Sequence, residues 1–312
     1  MDELGLVDWI VGRSGAMPSQ VKVGPGDDCA VLSGSGSDEI VFTIDEVVEG
    51  THFRLKGKGL GPRATGRDAG YKALAAAASD IAAMGAEPVG AVCAAAMRKN
   101  QASRLGKAIH KGLAEAARDS GCPLVGGNVT GTGGPVTLTV ACIGRAPKGK
   151  AFLRSGARAK DVLFVTGELG GSILGRHLRP VPRFEEARLA RRLGGVRAMM
   201  DITDGLALDL SRLAAASGVG AEINSDAVPV SKAAEKLARK TGQGALDHAL
   251  GDGEDYELLI AVDPRRAGPF ERGWKLRTPL SRIGVCLPRG RGLLLQSGGR
   301  AARLKPEGFR HL

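Results

Sequence analysis

The chain has 312 residues, of which 43% are hydrophobic and 25% are charged. These values are typical of folded globular proteins and exclude a disordered chain, and the length suits two domains of ordinary size. No apolar run approaches the roughly 18–20 residues that a membrane-spanning helix needs. The first residues also lack the pattern of a secretory or transit signal. We therefore expect a cytoplasmic protein with no membrane partner.

The chain is basic, with 44 Lys and Arg residues against 33 Asp and Glu residues and a formal net charge of +11. Such a charge makes nucleic acid a partner to consider. However, the basic residues are spread along the chain, and aromatic residues make up only 4% of it, which argues against a surface that stacks bases. A basic surface that attracts anionic nucleotides is the better interpretation, and we expect no nucleic-acid partner.

The five cysteines are far apart in the sequence and show no CxxC spacing. They lie in apolar contexts, which indicates buried, reduced thiols and not a disulfide framework or a zinc site. These residues are Cys29, Cys93, Cys122, Cys142 and Cys286.

Strand-like and helical patterns alternate along the first half of the chain. An Ala-rich segment predicts a helix over 62–84, with Pro62 in its first turn and Gly85 at its end. The other elements predicted there are strands over 39–45, 89–97, 124–127 and 135–144 and a helix over 101–119. The segment 145–161 is basic, contains Gly and Pro and lacks an apolar period. We therefore place a domain boundary within it, between 1–148 and 149–312.

The second half repeats the alternation of strands and helices. Its predicted elements are strands over 161–167, 198–205, 219–223, 256–262 and 292–296 and helices over 206–217 and 230–240. Together the two halves predict an α/β (α+β) protein of two domains.

Five short acidic clusters stand out in this basic chain. They are GPGDD (24–28), TIDEVVEGTH (43–52), SDIAAMG (79–85), DITDG (201–205) and GDGEDYE (251–257). Any one of them alone is best interpreted as a turn or a helix cap, because Asp next to Gly is common in both. As a set they are more informative, because several lie at predicted strand ends, where open α/β folds place their ligands.

Grouped carboxylates repel one another unless a cation lies among them. Oxygen ligands without His or Cys favour Mg²⁺ or Ca²⁺ over zinc, and Mg²⁺ held by carboxylates and substrate phosphates is typical of phosphoryl transfer. Nearby glycines, such as Gly126 and Gly127, let backbone N–H groups approach phosphate oxygens. The P-loop and the protein-kinase motifs are absent from the sequence. The pattern therefore predicts a Mg²⁺-dependent, ATP-using phosphotransferase of another architecture.

The order and spacing of the motifs resemble those of the thiamine-monophosphate kinase family. That family is part of a superfamily with aminoimidazole ribonucleotide (AIR) synthetase, selenophosphate synthetase and a hydrogenase-maturation enzyme. The resemblance is carried by GPGDDCAVL, TIDEVVEGTHF, KALAAAASDIAAMGAEP, LVGGN, LRSGARAKDVLFVTGELG, HLRPVPR, DITDGLALDL and GDGEDYELL. It implies an AIR-synthetase-like fold, in which an N-terminal mixed sheet with helices forms a homodimer and an α/β domain follows. It also implies transfer of a phosphoryl group from ATP to thiamine monophosphate, which gives thiamine diphosphate.

The resemblance also implies roles for individual residues. The implied Mg²⁺ ligands are Asp28, Thr43, Asp45, Asp80, Asn128 and Asp201. The implied nucleotide contacts are Gly126, Gly127, Asn128, Thr203 and the phosphate-binding Arg154, and the implied substrate contacts are His52, Asp204, Glu254 and Phe309. The residues expected to carry the reaction are Asp28, Asp45, Asp201 and Arg154. No general base is expected, because a phosphomonoester, whose second pKa is about 6, is already ionised at neutral pH.

Three features depart from the family pattern. The glycine pair is followed by Asn128, where the family ordinarily has Asp, so we expect weaker binding of one metal or one metal fewer. Ile44 follows Thr43, where relatives often have a hydroxyl. The segment 168–183 is shorter than in relatives, which bears on substrate specificity more than on the fold.

Two alternatives stay open on the sequence. In the first, the chain is another ATP-using enzyme of the same superfamily. In the second, which Asn128 suggests, it is a catalytically weakened nucleotide-binding homologue. Without the resemblance, His52 and Phe309 are readily interpreted as packing residues, Tyr256 as a core residue and Asp209 as solvated or structural.

Overall fold

The structure is a computed structural model. It describes residues 17–309 and, before them, residues 5, 6, 9, 11–13 and 15. Two sheets, one from each half of the chain, make up its framework. None of the helices in these described ranges is long and apolar enough to cross a membrane. All five cysteines are buried and free, as predicted.

The first sheet has six strands in the order β1-β2-β3-β6-β4-β5. The elements of this half are β1 (Val21–Val23), β2 (Ala30–Ser33), β3 (Asp38–Val48), α1 (Gly66–Ala83), β4 (Glu87–Met97), α2 (Ala102–Ser120), β5 (Leu124–Gly131) and β6 (Thr137–Pro147). The pair of β4 and β5 is parallel and the other pairs are antiparallel, so the predicted mixed sheet is confirmed. Helices α1 and α2 pack against each other and cover one face of this sheet.

Helix α1 begins later than predicted, because its N-terminal signal is a capping box and not Pro62. The Asp68 amide donates to the Thr65 hydroxyl (3.2 Å), and the Thr65 amide donates to the Asp68 carboxylate (2.9 Å). The helix is buried along almost its whole length. Its small residues permit this, since a side chain at Gly70 would place a Cβ atom 2.1 Å from the Ile109 carbonyl oxygen of α2.

The second sheet has seven strands in the order β13-β12-β9-β11-β7-β10-β8. Its elements are β7 (Val162–Thr166), α3 (Phe184–Leu193), β8 (Val196–Ile202), α4 (Leu206–Ser217), β9 (Gly220–Asn224), α5 (Lys232–Thr241), α6 (Ala245–Gly251), β10 (Glu257–Val262), α7 (Pro264–Gly273), β11 (Leu280–Leu287), β12 (Leu293–Ser297) and β13 (Arg300–Arg303). Short 3₁₀ turns occupy Ser172–Leu174, Arg176–Leu178 and Ser225–Ala227. Two hydrophobic clusters contain buried residues of this sheet.

Several of the acidic clusters adjoin strand ends, as predicted, but two of the predicted ligands do not lie there. Asp45 lies within the 11-residue strand β3, and Asp80 lies in helix α1. Asp201 does lie near the end of β8. Both sheets are largely antiparallel, so neighbouring strands do not share one carboxyl edge. The clusters meet instead because α1 packs against β3 of the first sheet and against β8 of the second.

Candidate active site

Three buried carboxylates form the centre of the site. Carboxylate oxygens of Asp28, Asp80 and Asp201 all lie within 4.8 Å of one another. Asp28 comes from the loop between β1 and β2, Asp80 from α1 and Asp201 from β8. Three sequence clusters that are separated by more than fifty residues each therefore supply one carboxylate group apiece. We call this set the carboxylate cluster.

The electrostatics of the cluster are unfavourable in the absence of a cation. Burial raises the pKa of all three carboxyls, and it raises that of Asp28 to about 6. The charges of neighbouring carboxylates raise the pKa of Asp80 and Asp201 further. Each of these carboxylates would be more easily ionised if a positive charge lay among them.

Hydrogen bonds hold the three carboxylates but do not satisfy all their oxygens. The Thr43 hydroxyl donates to Asp80 (2.6 Å), and the Ser79 hydroxyl donates to Asp201 (2.5 Å). Oδ2 of Asp28 is buried and lacks a hydrogen-bond partner among the described residues. A buried carboxylate oxygen without a donor is costly, so the vicinity of this atom suits a cation.

Arg154, the predicted phosphate-binding residue, lies at the cluster and pairs with one of its members. Its Nε donates to Oδ1 of Asp28 at 2.9 Å. The backbone around it is held by Asp27, whose carboxylate accepts from the amides of Arg154 (3.1 Å) and Asp28 (3.0 Å). The structure thus places the guanidinium beside the carboxylates, where it offsets part of their charge.

A cavity of about 200 Å³ adjoins the cluster at Asp80 and contains all four residues predicted for the substrate. We call it the substrate cavity. Its lining includes Asp45, His52, Asp80, Thr203, Asp204, Glu254, Tyr256 and Phe309. Its walls come from both halves of the chain, so the cavity exists only when the two halves are packed together.

The turn that carries Thr203 and Asp204 is held by a residue of α4. Asp209 is fully buried, and its carboxylate accepts from the amides of Thr203 (2.9 Å) and Asp204 (3.0 Å). Arg212 donates to both Asp209 (2.8 Å) and Asp204 (2.5 Å). Asp209 is therefore structural, one of the two roles anticipated for it, and it orients a turn that faces the cavity.

The C-terminal segment crosses this turn and brings Phe309 to the cavity. The Phe309 amide donates to the Asp204 carbonyl oxygen at 2.9 Å. A Cβ atom at Gly308 would lie 2.4 Å from that oxygen, so the close crossing needs glycine. Phe309 remains partly exposed at the cavity mouth, 38% accessible.

The acidic cluster 251–257 divides into structural residues and one residue of the cavity. Three of its carboxylates are paired within the second half, Asp252 with His248, Asp255 with Arg176 and Glu257 with Arg183. Glu254 instead lines the substrate cavity and pairs with Lys72 of α1. Among the carboxylates of the pattern GDGEDYE, Glu254 therefore lies at the cavity, and the other three form ion pairs within the second half of the chain.

The predicted glycine residues of the nucleotide site lie elsewhere in the chain. Gly126, Gly127 and Asn128 belong to β5, the exposed edge strand of the first sheet. Across the sheet, Asp45 is level with Gly127, three strand spacings away, which corresponds to about 14 Å. The structure does not bring Asn128 to the carboxylate cluster of its own chain.

The glycine strand borders a second cavity, of about 660 Å³, between β5 and α2. Met97, Ile109 and Leu113 give it an apolar wall, and His110 and Lys107 also line it. We call it the β5 cavity.

Models of a known protein family match both halves of the chain. The model of the AIR synthase related protein, N-terminal domain, matches residues 26–146, and that of the C-terminal domain matches residues 127–287. The thiamine-monophosphate kinase of Rhodopirellula baltica is 37% identical, over 99% of this chain and 97% of its own length. The chain belongs to the thiamine-monophosphate kinase family.

Another member of the family, from Bacillus subtilis, is 31% identical over 100% of this chain and 99% of its own length. A solved structure described as AaThiL complexed with AMPPCP and TMP superimposes with a TM-score of 0.83 at 27% identity. It covers 100% of this chain and 97% of that one. The AIR-synthetase-like fold and the family assignment expected from the motifs are both confirmed.

Sequence reasoning missed several residues that shape the site in this family member. They are Asp27, Lys72, Ser79, Arg212 and, as a cavity residue, Tyr256. Asp27 and Ser79 lie inside quoted motifs, next to the predicted ligands, so adjacency was a usable signal for them. Lys72 opens the quoted motif KALAAAASDIAAMGAEP, whereas Arg212 lies outside the quoted motifs. Both lie on helices, where a charged residue is usually solvated, so the sequence did not single them out.

Proposed function

We propose that this chain is an ATP-dependent kinase that phosphorylates thiamine monophosphate to thiamine diphosphate. The observation that carries the proposal is the substrate cavity next to the carboxylate cluster in a chain of this family. The solved relative that was complexed with AMPPCP and TMP supports the choice of substrates, since these ligands correspond to an ATP analogue and to thiamine monophosphate. We also propose the division of the chain into 1–148 and 149–312, which assigns one sheet to each part.

The residues of the cluster fit Mg²⁺. Asp28, Asp80 and Asp201 supply hard oxygen ligands that lie close together. Oδ2 of Asp28 is buried and has no hydrogen-bond donor among the described residues, so a cation would stabilise it. Thr43 and Asp45 lie beside Asp80 and also belong to the proposed ligand set. When bound there, Mg²⁺ would neutralise phosphate charge and fix phosphate orientation.

The protein's own residues would bind and orient the two substrates. Arg154 would exchange its carboxylate partner for a phosphate group, which a planar guanidinium binds through two donors. Thiamine carries a cationic thiazolium ring, so the carboxylate of Glu254 and the aromatic face of Phe309 are suitable partners for it. The attacking phosphate oxygen is already ionised at neutral pH, so the site needs to position the reactants and exclude water more than to move a proton.

The functional unit in this proposal is a homodimer. The face of the first sheet opposite α1 and α2 carries exposed apolar side chains: Phe42, Ile44, Val89, Val92, Val125 and Ile143, each 39–68% accessible. A solvated sheet face is usually polar, so an apolar one indicates a covered interface. A second copy of the chain would cover this face and bring its β5 towards the carboxylate cluster, which the β5 of the same chain does not reach.

Mixing two inactive variants tests the dimer. Asp201→Asn damages the cluster, and Gly127→Val damages β5. If each active site uses the β5 of the partner copy, a mixed dimer has one intact site, and co-expression in equal amounts recovers about a quarter of the wild-type activity. If both elements act within one chain, the mixture stays inactive, and the shared-site arrangement is wrong.

An ADP-release assay with thiamine monophosphate, ATP and Mg²⁺ tests the activity itself. We expect ADP release that depends on thiamine monophosphate, with thiamine diphosphate identified by mass, and loss of both on chelation of the metal. ADP release that is independent of thiamine monophosphate would exclude the proposed acceptor.

We also propose a cytoplasmic location, because five free buried cysteines suit a reducing compartment.

A second candidate function is a nucleotide-binding homologue with weakened catalysis. Asn128 favours it, because an amide oxygen offers a metal no negative charge. Binding of ATP without turnover of thiamine monophosphate would support this candidate over the kinase.

A further inference from the structure

Lys72 is a fully buried lysine in the middle of α1, and it was not anticipated from the sequence. Its side chain is 0% exposed, although lysine is rarely buried without a partner. Its ammonium group donates to the His52 carbonyl oxygen at 2.7 Å and forms an ion pair with the Glu254 carboxylate. These contacts compensate for the loss of hydration.

The two partners of Lys72 belong to different halves of the chain. His52 follows β3 of the first sheet, and Glu254 lies just before β10 of the second. Both residues line the substrate cavity, on walls that the two halves contribute separately. One ammonium group therefore contacts cavity residues from both halves of the chain.

The loop that carries Glu254 has a backbone that needs external support. Glu254 and Tyr256 have φ angles of +54° and +53°, a region that side-chain-bearing residues rarely adopt, and Gly253 between Asp252 and Glu254 has φ +73°. The Glu254 amide donates to the Thr203 carbonyl oxygen (2.6 Å), which fixes the backbone. The ion pair with Lys72 fixes the direction of the side chain. Such conformations persist where the surroundings hold them, and they are concentrated at functional sites.

We propose that Lys72 is a positioning residue for the substrate: it holds the Glu254 carboxylate and the His52 main chain in the places from which the cavity binds the thiamine moiety. This inference rests on the proposed kinase function for the identity of the ligand. Lys72 acts through Glu254 and does not touch the transferred phosphate. Its removal therefore affects binding of thiamine monophosphate and leaves ATP binding intact.

The direct test is Lys72→Met, with steady-state kinetics for each substrate. We expect the KM for thiamine monophosphate to rise about tenfold or more, since a hydrogen-bonded charge pair in a binding wall is lost. The KM for ATP and kcat should stay within about twofold, because the cluster and the β5 cavity are untouched. Lys111→Met is the matched control, since Lys111 is an exposed lysine on α2, and it should change none of the three constants.

A double-mutant cycle distinguishes positioning from bulk stability. Glu254→Gln alone should raise the KM for thiamine monophosphate, and Lys72→Met added to it should raise the KM by less than about twofold more, because both changes act on one carboxylate. Multiplicative effects would mean that Lys72 does not act through Glu254 and would overturn the proposal. A lowered melting temperature with unchanged KM values would show a purely structural lysine and would overturn it as well.

Two further variants cover the case in which Lys72→Met does not fold. The Lys72→Met/Glu254→Gln double variant removes both charges, so no unpaired charge stays buried. Lys72→Arg keeps the charge but presents a longer, planar group, so it should raise the KM for thiamine monophosphate and spare that for ATP. Unchanged KM values in Lys72→Arg, together with an unmoved Glu254 in its crystal structure, would contradict positioning.

A structural readout separates failure of this inference from failure of the proposed function. If the wild-type protein does not phosphorylate thiamine monophosphate, the kinase proposal fails in the ADP-release assay. Crystal structures of the wild type and of the lysine variants still decide the role of Lys72. Displacement of the Glu254 carboxylate and the residue 52 main chain, with the cluster unchanged, supports it, and an unchanged cavity overturns it.

Discussion

The carboxylate cluster and the strand β5 were both predicted to serve the reaction, but they differ in burial and in position in the fold. The cluster is buried, supported by donors from α1, β3 and the Arg154 segment, and assembled from both halves of one chain. Strand β5 is an exposed sheet edge, hydrogen-bonded to β4 on one side, with Asn128 exposed. The difference indicates that the carboxylate cluster is assembled within one chain, whereas the glycine strand faces outwards for a ligand or a second copy.

The largest expected effect comes from the cluster. Asp201→Asn removes a charge from the proposed metal site while it preserves the shape of the side chain, so we expect kcat to fall by about 10³-fold or more. Asp226→Asn is the control, since Asp226 is exposed and lies in the same half of the chain, and it should stay within about twofold of wild type. Comparable activity in the two variants would show that the cluster is not part of the catalytic site.

A smaller effect is expected on β5, where two adjacent glycines differ sterically. A Cβ atom at Gly127 would lie 2.2 Å from the Cys93 carbonyl oxygen, whereas one at Gly126 would lie 3.6 Å from a Val92 methyl group. Gly127→Ala must therefore shift the strand, and we expect it to raise the KM for ATP about tenfold, against less than about threefold for Gly126→Ala. Equal KM values for the two variants would show that the backbone position of β5 does not matter to the nucleotide.

The third prediction concerns the residue that departs from the family pattern. Asn128→Asp adds a charged ligand, so the Mg²⁺ concentration for half-maximal activity should fall several-fold. Asn100→Asp, at an exposed position outside β5, is the control for the added charge. An unchanged or raised Mg²⁺ requirement in Asn128→Asp would show that residue 128 of β5 does not act as a metal ligand.

The smallest effect is the pH dependence of stability that Asp28 of the cluster should contribute. Burial raises the pKa of Asp28 from 3.8 to about 6, so between these values the folded, metal-free protein binds more protons than the unfolded chain. The free energy of unfolding should fall as the pH rises through this window, by on the order of 1–3 kcal/mol. Thermal unfolding of the wild type and of Asp28→Asn without metal measures it, and Mg²⁺ should stabilise the wild type more above about pH 6 than below it. Parallel melting curves for the two proteins across this range would contradict the assignment.

Prediction from the sequence succeeded where a local pattern has one interpretation. The helix predicted over 206–217 matches Leu206–Ser217, and the strand predicted over 256–262 nearly matches Glu257–Val262, because apolar period and flanking glycines are strong signals. Helix Pro264–Gly273 and strand Leu280–Leu287 were not anticipated, since an internal Pro269 weakens the pattern of the first. The start of α1 was placed too early, because the capping box at Thr65 was overlooked in favour of Pro62.

The sequence by itself determined the family and the types of residue that the chemistry needs. Ordered motifs carry that information, because Asp and Gly at particular spacings are required by metal and phosphate whatever their surroundings. Only the tertiary structure decided which of those residues meet. Packing of α1 between two sheets brings carboxylate oxygens of Asp28, Asp80 and Asp201 within 4.8 Å of one another. The order of the strands places the strand of Asn128 three strands away from that of Asp45. The burial of Lys72 against Glu254 is likewise a product of packing, since a charged residue on a helix has no local reason to be inside.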